Sequence, residues 1–120
     1  MSGLDDQLRK MEREELSAED KALDEYATQL FAEGKIDEAI PLFERLIAVT
    51  PYCEGSREAG MRYLLADCYV QKGQPARALQ QLEFAMHCYD GFPRDAFYDS
   101  LVREKNALII AHPDLRPKNL

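Results

Sequence analysis

The stretch LFAEGKIDEAIPLFERLIAVTP, residues 30–51, has the outline of two helices joined by a tight turn. An apolar-striped segment ends at Gly34, and a second segment starts at once and ends at Pro51. Glycine adopts the left-handed conformation that ends many helices, and proline cannot continue one. Two helices this close in sequence fold back on each other, so the stretch predicts an antiparallel helical hairpin.

Both segments carry their apolar residues at helical spacing. In the first, the positions i, i+3, i+4, i+7 and i+8 hold Leu23, Tyr26, Ala27, Leu30 and Phe31. That spacing places them on one face of a helix. The second helix is predicted to start near Asp37, with Pro41 inside its first turn, where a missing N–H costs little.

The hairpin recurs 39 residues later in the chain. Small residues align with small ones, large with large, and turn glycine with turn glycine: Ala27 with Ala66, Leu30 with Tyr69, Gly34 with Gly73, Ala39 with Ala78, and Phe43 with Leu82. The repeat predicts a second hairpin, with helices over about 57–72 and from Pro75 to about Tyr89.

The order of a small residue, a large residue, EGKIDEAI, an aromatic residue and finally TP resembles the tetratricopeptide repeat. Residues 20–53 are similar to one unit of that family and residues 59–92 to a second. Two positions depart from the pattern. Arg62 stands where a large apolar residue is usual, and Asp90 replaces the closing proline, which appears only as Pro93.

The resemblance implies an all-α protein, a right-handed stack of helical hairpins with about five to six helices. The repeat domain is predicted over residues 17–112, closed by a capping helix over 94–111. Residues 1–16 are predicted to form an acidic arm or a loosely docked helix, and residues 113–120 a C-terminal tail.

Composition and motifs exclude several functions. The chain has a net charge of −7 and no cluster of lysines or arginines, so nucleic acid is not an expected partner. No apolar run approaches the roughly 20 residues that cross a bilayer, and no apolar leader opens the chain, so no membrane contact and a cytoplasmic location are expected. No phosphate-binding loop, metal-ligand spacing or catalytic constellation is present. The sequence therefore predicts a protein that is not an enzyme and has neither a metal nor a cofactor.

In tetratricopeptide arrays the first helix of each unit lines a concave groove that holds a partner segment. Carried over by position, the groove residues are Asp24, Thr28 and Phe31 in the first unit and Tyr63, Asp67 and Val70 in the second. Phe31 and Val70 are equally compatible with the core. The acids repel a carboxylate ligand, so a basic or amphipathic segment of another protein is the favoured partner.

Two classes of function fit this pattern. One is a protein–protein interaction module, a small adaptor or chaperone that binds a peptide or helix in the groove. The alternative is a structural component that self-assembles, for example into a homodimer, through exposed hairpin faces.

Overall fold

The computed structural model describes residues 18–19, 21–49 and 56–115 of the chain. Helix α1 comprises residues 21–32, and four further α-helices and a short 3-10 helix follow: α2 (Ile36–Val49), α3 (Ser56–Gln71), α4 (Pro75–His87), α5 (Ala96–Ala111) and Pro113–Leu115. These ranges contain no strand. The predicted all-α stack of helical hairpins is confirmed, while the predicted arm over residues 1–16 lies outside the described residues.

The two predicted turns share one hydrogen-bonding pattern. Gly34 and Gly73 have φ angles of +79° and +72°, where a side chain would strain the backbone. After α1, the Lys35 N–H donates to the Leu30 carbonyl at 2.8 Å, and the equivalent bond after α3 is also 2.8 Å. This is the Schellman arrangement, in which a left-handed glycine lets the chain satisfy the last carbonyls of a helix. The repeat in sequence is thus a repeat in backbone geometry.

One proline is placed differently from the prediction. Helix α2 begins at Ile36, so Pro41 lies in its second turn and not in its first. The carbonyl of Asp37 therefore lacks its helical N–H donor. Pro41 is exposed, so water can satisfy that carbonyl, and α2 continues to Val49.

The small signature residues lie where the helices of a hairpin cross. Ala39 and Ala78 have no exposed surface, and neither has the large side chain of Phe43 on α2. The core continues into the second hairpin and α5 through a contiguous set of buried residues: Leu65, Ala66, Cys68, Tyr69, Leu82, Ala85, Cys88, Tyr89 and Leu101. Burial raises the pKa of the Cys68 thiol to about 11, so this cysteine is a protonated, packed side chain at neutral pH.

Enlarging these alanines is expected to overpack the crossings. Ala39→Leu and Ala78→Leu should each lower the free energy of unfolding by about 1–3 kcal/mol, measured by urea denaturation. Matched controls are Ala48→Leu on α2 and Ala76→Leu on α4, because both alanines are exposed. Equal stability of the buried and exposed variants would contradict the close approach of the helices.

The second hairpin is joined to the first by polar contacts of α2 with α3 and with Lys72, the residue that follows α3. The hydroxyl of Tyr69 donates to Glu44 Oε1 at 2.6 Å, and Lys72 Nζ lies 2.6 Å from Asp37 Oδ1. Burial, together with the bond to Glu44, raises the pKa of Tyr69 to about 12. The phenol therefore remains a donor across the physiological pH range. Lys72 and Asp37 are solvent-exposed, so their ion pair contributes little to stability.

A polar cluster occupies the position where Arg62 departs from the repeat pattern. Arg62 Nη2 lies 3.5 Å from Glu58 Oε1, its Nη1 donates to Gln81 Oε1 at 2.9 Å, and its guanidinium lies 4.8 Å from the ring centroid of Phe84. The thiol of Cys88 donates to the other oxygen of Glu58 at 2.9 Å. The cluster joins α3 to α4 and gives the buried carboxylate its hydrogen-bond partners.

Helix α5 packs against the second hairpin through aromatic and aliphatic contacts. Leu101 is fully buried, and the ring of Tyr98 meets that of Tyr89 edge to face at 5.3 Å. Asp95 caps the helix by accepting from the Tyr98 N–H at 3.0 Å and from the Tyr89 hydroxyl at 2.9 Å. These bonds lower the pKa of Asp95, so the cap is charged at neutral pH. These contacts dock α5 on the second hairpin.

Candidate partner-binding groove

An open cavity of about 420 Å³ lies between α3 and α5. Helix α3 contributes Tyr63, Ala66, Asp67 and Val70, and Leu82 of α4 lies at the base. The opposite wall comprises Glu104, Ala107, Leu108, Ala111 and His112, the residue that follows α5. The cavity is a groove with helical walls, apolar over much of its surface and acidic at two points.

The two walls are built on the same helical spacing. Tyr63, Asp67 and Val70 are at positions i, i+4 and i+7 of α3, so they share one face. Glu104, Leu108 and Ala111 have the same spacing on α5. Both helices pack on α4, so these faces lie opposite each other across the groove.

Half of the residues predicted for the groove lie in this cavity. Tyr63, Asp67 and Val70 line it, and Val70 is 47% exposed despite its apolar side chain.

The three residues predicted on α1 are not brought into that lining. Thr28 Oγ1 lies 3.4 Å from Asp24 Oδ1, a contact within one helix turn. Phe31 is half-buried and packs against the core. The described cavity is therefore formed by the second hairpin and α5, without a contribution from α1.

The wall on α5 was missed from the sequence, although a signal for it exists. From the sequence, this segment was predicted only as a capping helix over residues 94–111. Leu108 is buried, but Ala111 is exposed and, like Glu104, lines the cavity. Glu104, Leu108 and Ala111 each lie 41 residues after their counterparts on α3, whereas the hairpins repeat at 39 residues. Alignment of the chain with itself at the 39-residue spacing therefore does not bring the two walls into register.

The groove is electrostatically negative. Its described lining holds two carboxylates, Asp67 and Glu104, and no lysine or arginine. Partial burial raises the pKa of Tyr63, and the charges of Glu104 and Asp67 raise it further. The phenol of Tyr63 is thus affected by the charge of an acid on each wall. The two acids together favour a positively charged ligand group.

A second hollow, of about 360 Å³, lies between α4 and α5 and differs in character. It carries both signs of charge, with Glu83 and Asp90 beside Arg94 and Lys105. The guanidinium of Arg94 already lies 4.5 Å from the ring centroid of Tyr98. The charges here balance internally, so the hollow shows no preference for a ligand of one sign.

The described residues hold no group of three or more histidine, cysteine or carboxylate side chains that could ligate a metal ion. Within the same ranges, no helix has the length and apolar character needed to cross a membrane.

The hairpins, their shared turns and the groove define a helical-repeat protein. The family model of the tetratricopeptide repeat matches residues 30–87, just under half of the chain, from the end of α1 through α4. This match supports the tetratricopeptide repeat assignment that the sequence pattern predicted. No curated protein and no solved structure matches the chain. The repeat is generally a non-catalytic fold that binds other proteins, which indicates a protein–protein interaction module.

Proposed function

We propose that this protein is a small cytoplasmic adaptor or chaperone that holds a peptide or helix of another protein in the groove between α3 and α5. The observation that carries the proposal is the groove itself, which is preformed by helices and combines apolar walls with two acids. Preformed sites bind with little loss of conformational entropy, so a short segment suffices for recognition.

The size and lining of the groove favour a segment over a whole domain. A volume of about 420 Å³ accommodates a few side chains of a partner. Affinity is expected to come from the apolar contacts and from Tyr63, and selectivity from the charged rim. A basic or amphipathic segment is the favoured ligand because it can contact both the apolar walls and the acidic rim of the groove.

Truncation of Tyr63 tests whether the groove binds the partner. A partner is first captured from lysate, its binding segment is mapped, and the dissociation constant is measured by calorimetry. Tyr63→Ala is expected to weaken binding by about 2 kcal/mol, roughly 30-fold, because aromatic anchors in groove centres contribute strongly.

The matched control is Tyr26→Ala on α1, since Tyr26 is 55% exposed and lies outside the groove. Tyr63 also meets the ring of Phe97 edge to face at 5.6 Å, so circular dichroism must show that the variant is folded. Unchanged affinity in folded Tyr63→Ala would place the binding surface elsewhere. Light scattering over a concentration series separates partner binding from self-assembly.

A further inference from the structure

We infer that α5 is the selective wall of the groove, and that the bound segment inserts one lysine or arginine between Asp67 of α3 and Glu104 of α5, beside an apolar residue that contacts Val70 and Leu108. The inference rests on the proposed function and names the chemistry of the partner. It also gives α5 a role in recognition, in addition to covering the end of the second hairpin.

The groove depends on α5 for one of its two walls. The edge-to-face contact of Tyr63 with Phe97 brings α3 and α5 together directly. Beyond this contact the helices leave the cavity open, with Asp67 on one wall and Glu104 on the other. A ligand that enters the cavity therefore meets an acid on each side.

The charges of these two acids are not compensated by a cation within the described residues. The ion pairs that the structure describes engage other carboxylates, those of Glu58, Asp37 and Asp90. Asp67 and Glu104 instead share the neighbourhood of the Tyr63 phenol, where partial burial weakens the screening by water. A cation placed between them gains attraction from both walls.

The apolar part of the groove determines what lies beside the cation. Val70 exposes an aliphatic surface on α3, and Ala111 exposes a small one on α5. Leu108 and Leu82 supply buried surface between them. An aliphatic side chain of the segment would cover this area, which is otherwise hydrated at a cost. The combination selects an apolar residue next to a basic one.

The test uses a random dodecamer peptide library displayed on phage and selected against the full-length protein. Enrichment of peptides with lysine or arginine within a few residues of leucine, isoleucine or methionine is expected. Selection of acidic peptides, or of peptides without any charge preference, would overturn the inference.

The selected peptide is then measured against charge-reversed proteins by fluorescence anisotropy. Glu104→Lys should weaken binding at least about tenfold, because a like charge then faces the ligand cation. The salt dependence of binding should also become shallower. A second peptide, with its basic residue changed to glutamate, should bind Glu104→Lys better than it binds the unaltered protein.

Glu33→Lys provides the matched control, because Glu33 is exposed at the end of the first hairpin helix, lies outside the groove and gives the same change in net charge. If Glu104→Lys behaves like this control while Tyr63→Ala still weakens binding, α5 is not the selective wall and the proposed function stands. If the library yields no binder, both the inference and the groove function are overturned.

Discussion

Phe43→Ala is expected to lower the free energy of unfolding by about 3–5 kcal/mol, as measured by urea denaturation followed by circular dichroism. Phe43 has no exposed surface and belongs to the continuous core of the stack. Removing its ring leaves a cavity that rigid neighbouring helices fill only in part. Domains of this size have a total stability of about 5–15 kcal/mol, so this one change removes a large fraction of it.

The chain offers a matched control for this substitution. Phe92 follows α4 and is 56% exposed, so Phe92→Ala removes the same atoms without opening a cavity. A change within about 0.5 kcal/mol is expected there. Comparable losses at Phe43 and Phe92 would contradict the packing of α2 against the second hairpin.

The second large effect is expected at the polar cluster between α3 and α4. Arg62→Met keeps most of the side-chain volume but removes the cation beside Glu58, the bond to Gln81 and the contact with the Phe84 ring. Glu58 is 6% exposed, and taking a cation partner away from a buried carboxylate is costly. A loss of about 3 kcal/mol is expected, again measured by urea denaturation.

Two further variants serve as the control and the rescue for Arg62→Met. Arg45→Met, at an exposed arginine of α2, should change stability little. Glu58→Gln in the Arg62→Met background should recover part of the loss, because the buried charge is then removed. A rise in stability of the single variant Arg62→Met would show instead that an apolar residue suits this position better than the polar cluster does.

The hairpins could be predicted because their signals are local. A glycine that must adopt positive φ, and alanines that must lie at a helix crossing, impose residue types at fixed positions. The same 39-residue spacing therefore aligns Gly34 with Gly73 and Ala39 with Ala78. Both glycines have positive φ and both alanines are buried, as the alignment predicts.

The groove could be predicted only in part because it depends on how helices meet. Tyr63 and Asp67 were identified by position within the repeat. Glu104 looks like any solvated acid on a helix until α5 is placed against α3. The bond of Arg62 to Gln81 was hidden for the same reason, since Gln81 meets it only through the packing of α3 on α4, whereas Glu58 lies one turn before Arg62 on α3 itself.

Because α5 lies at the edge of the second hairpin, partner binding depends on the equilibrium between docked and undocked α5. The groove exists only in molecules in which α5 is docked, so the measured dissociation constant is the intrinsic one divided by the docked fraction. A bound segment in turn holds α5 in place and stabilises the fold in proportion to the logarithm of its concentration. Leu101 is buried in the core and is not part of the groove lining, yet through this linkage it sets how much of the protein is competent to bind.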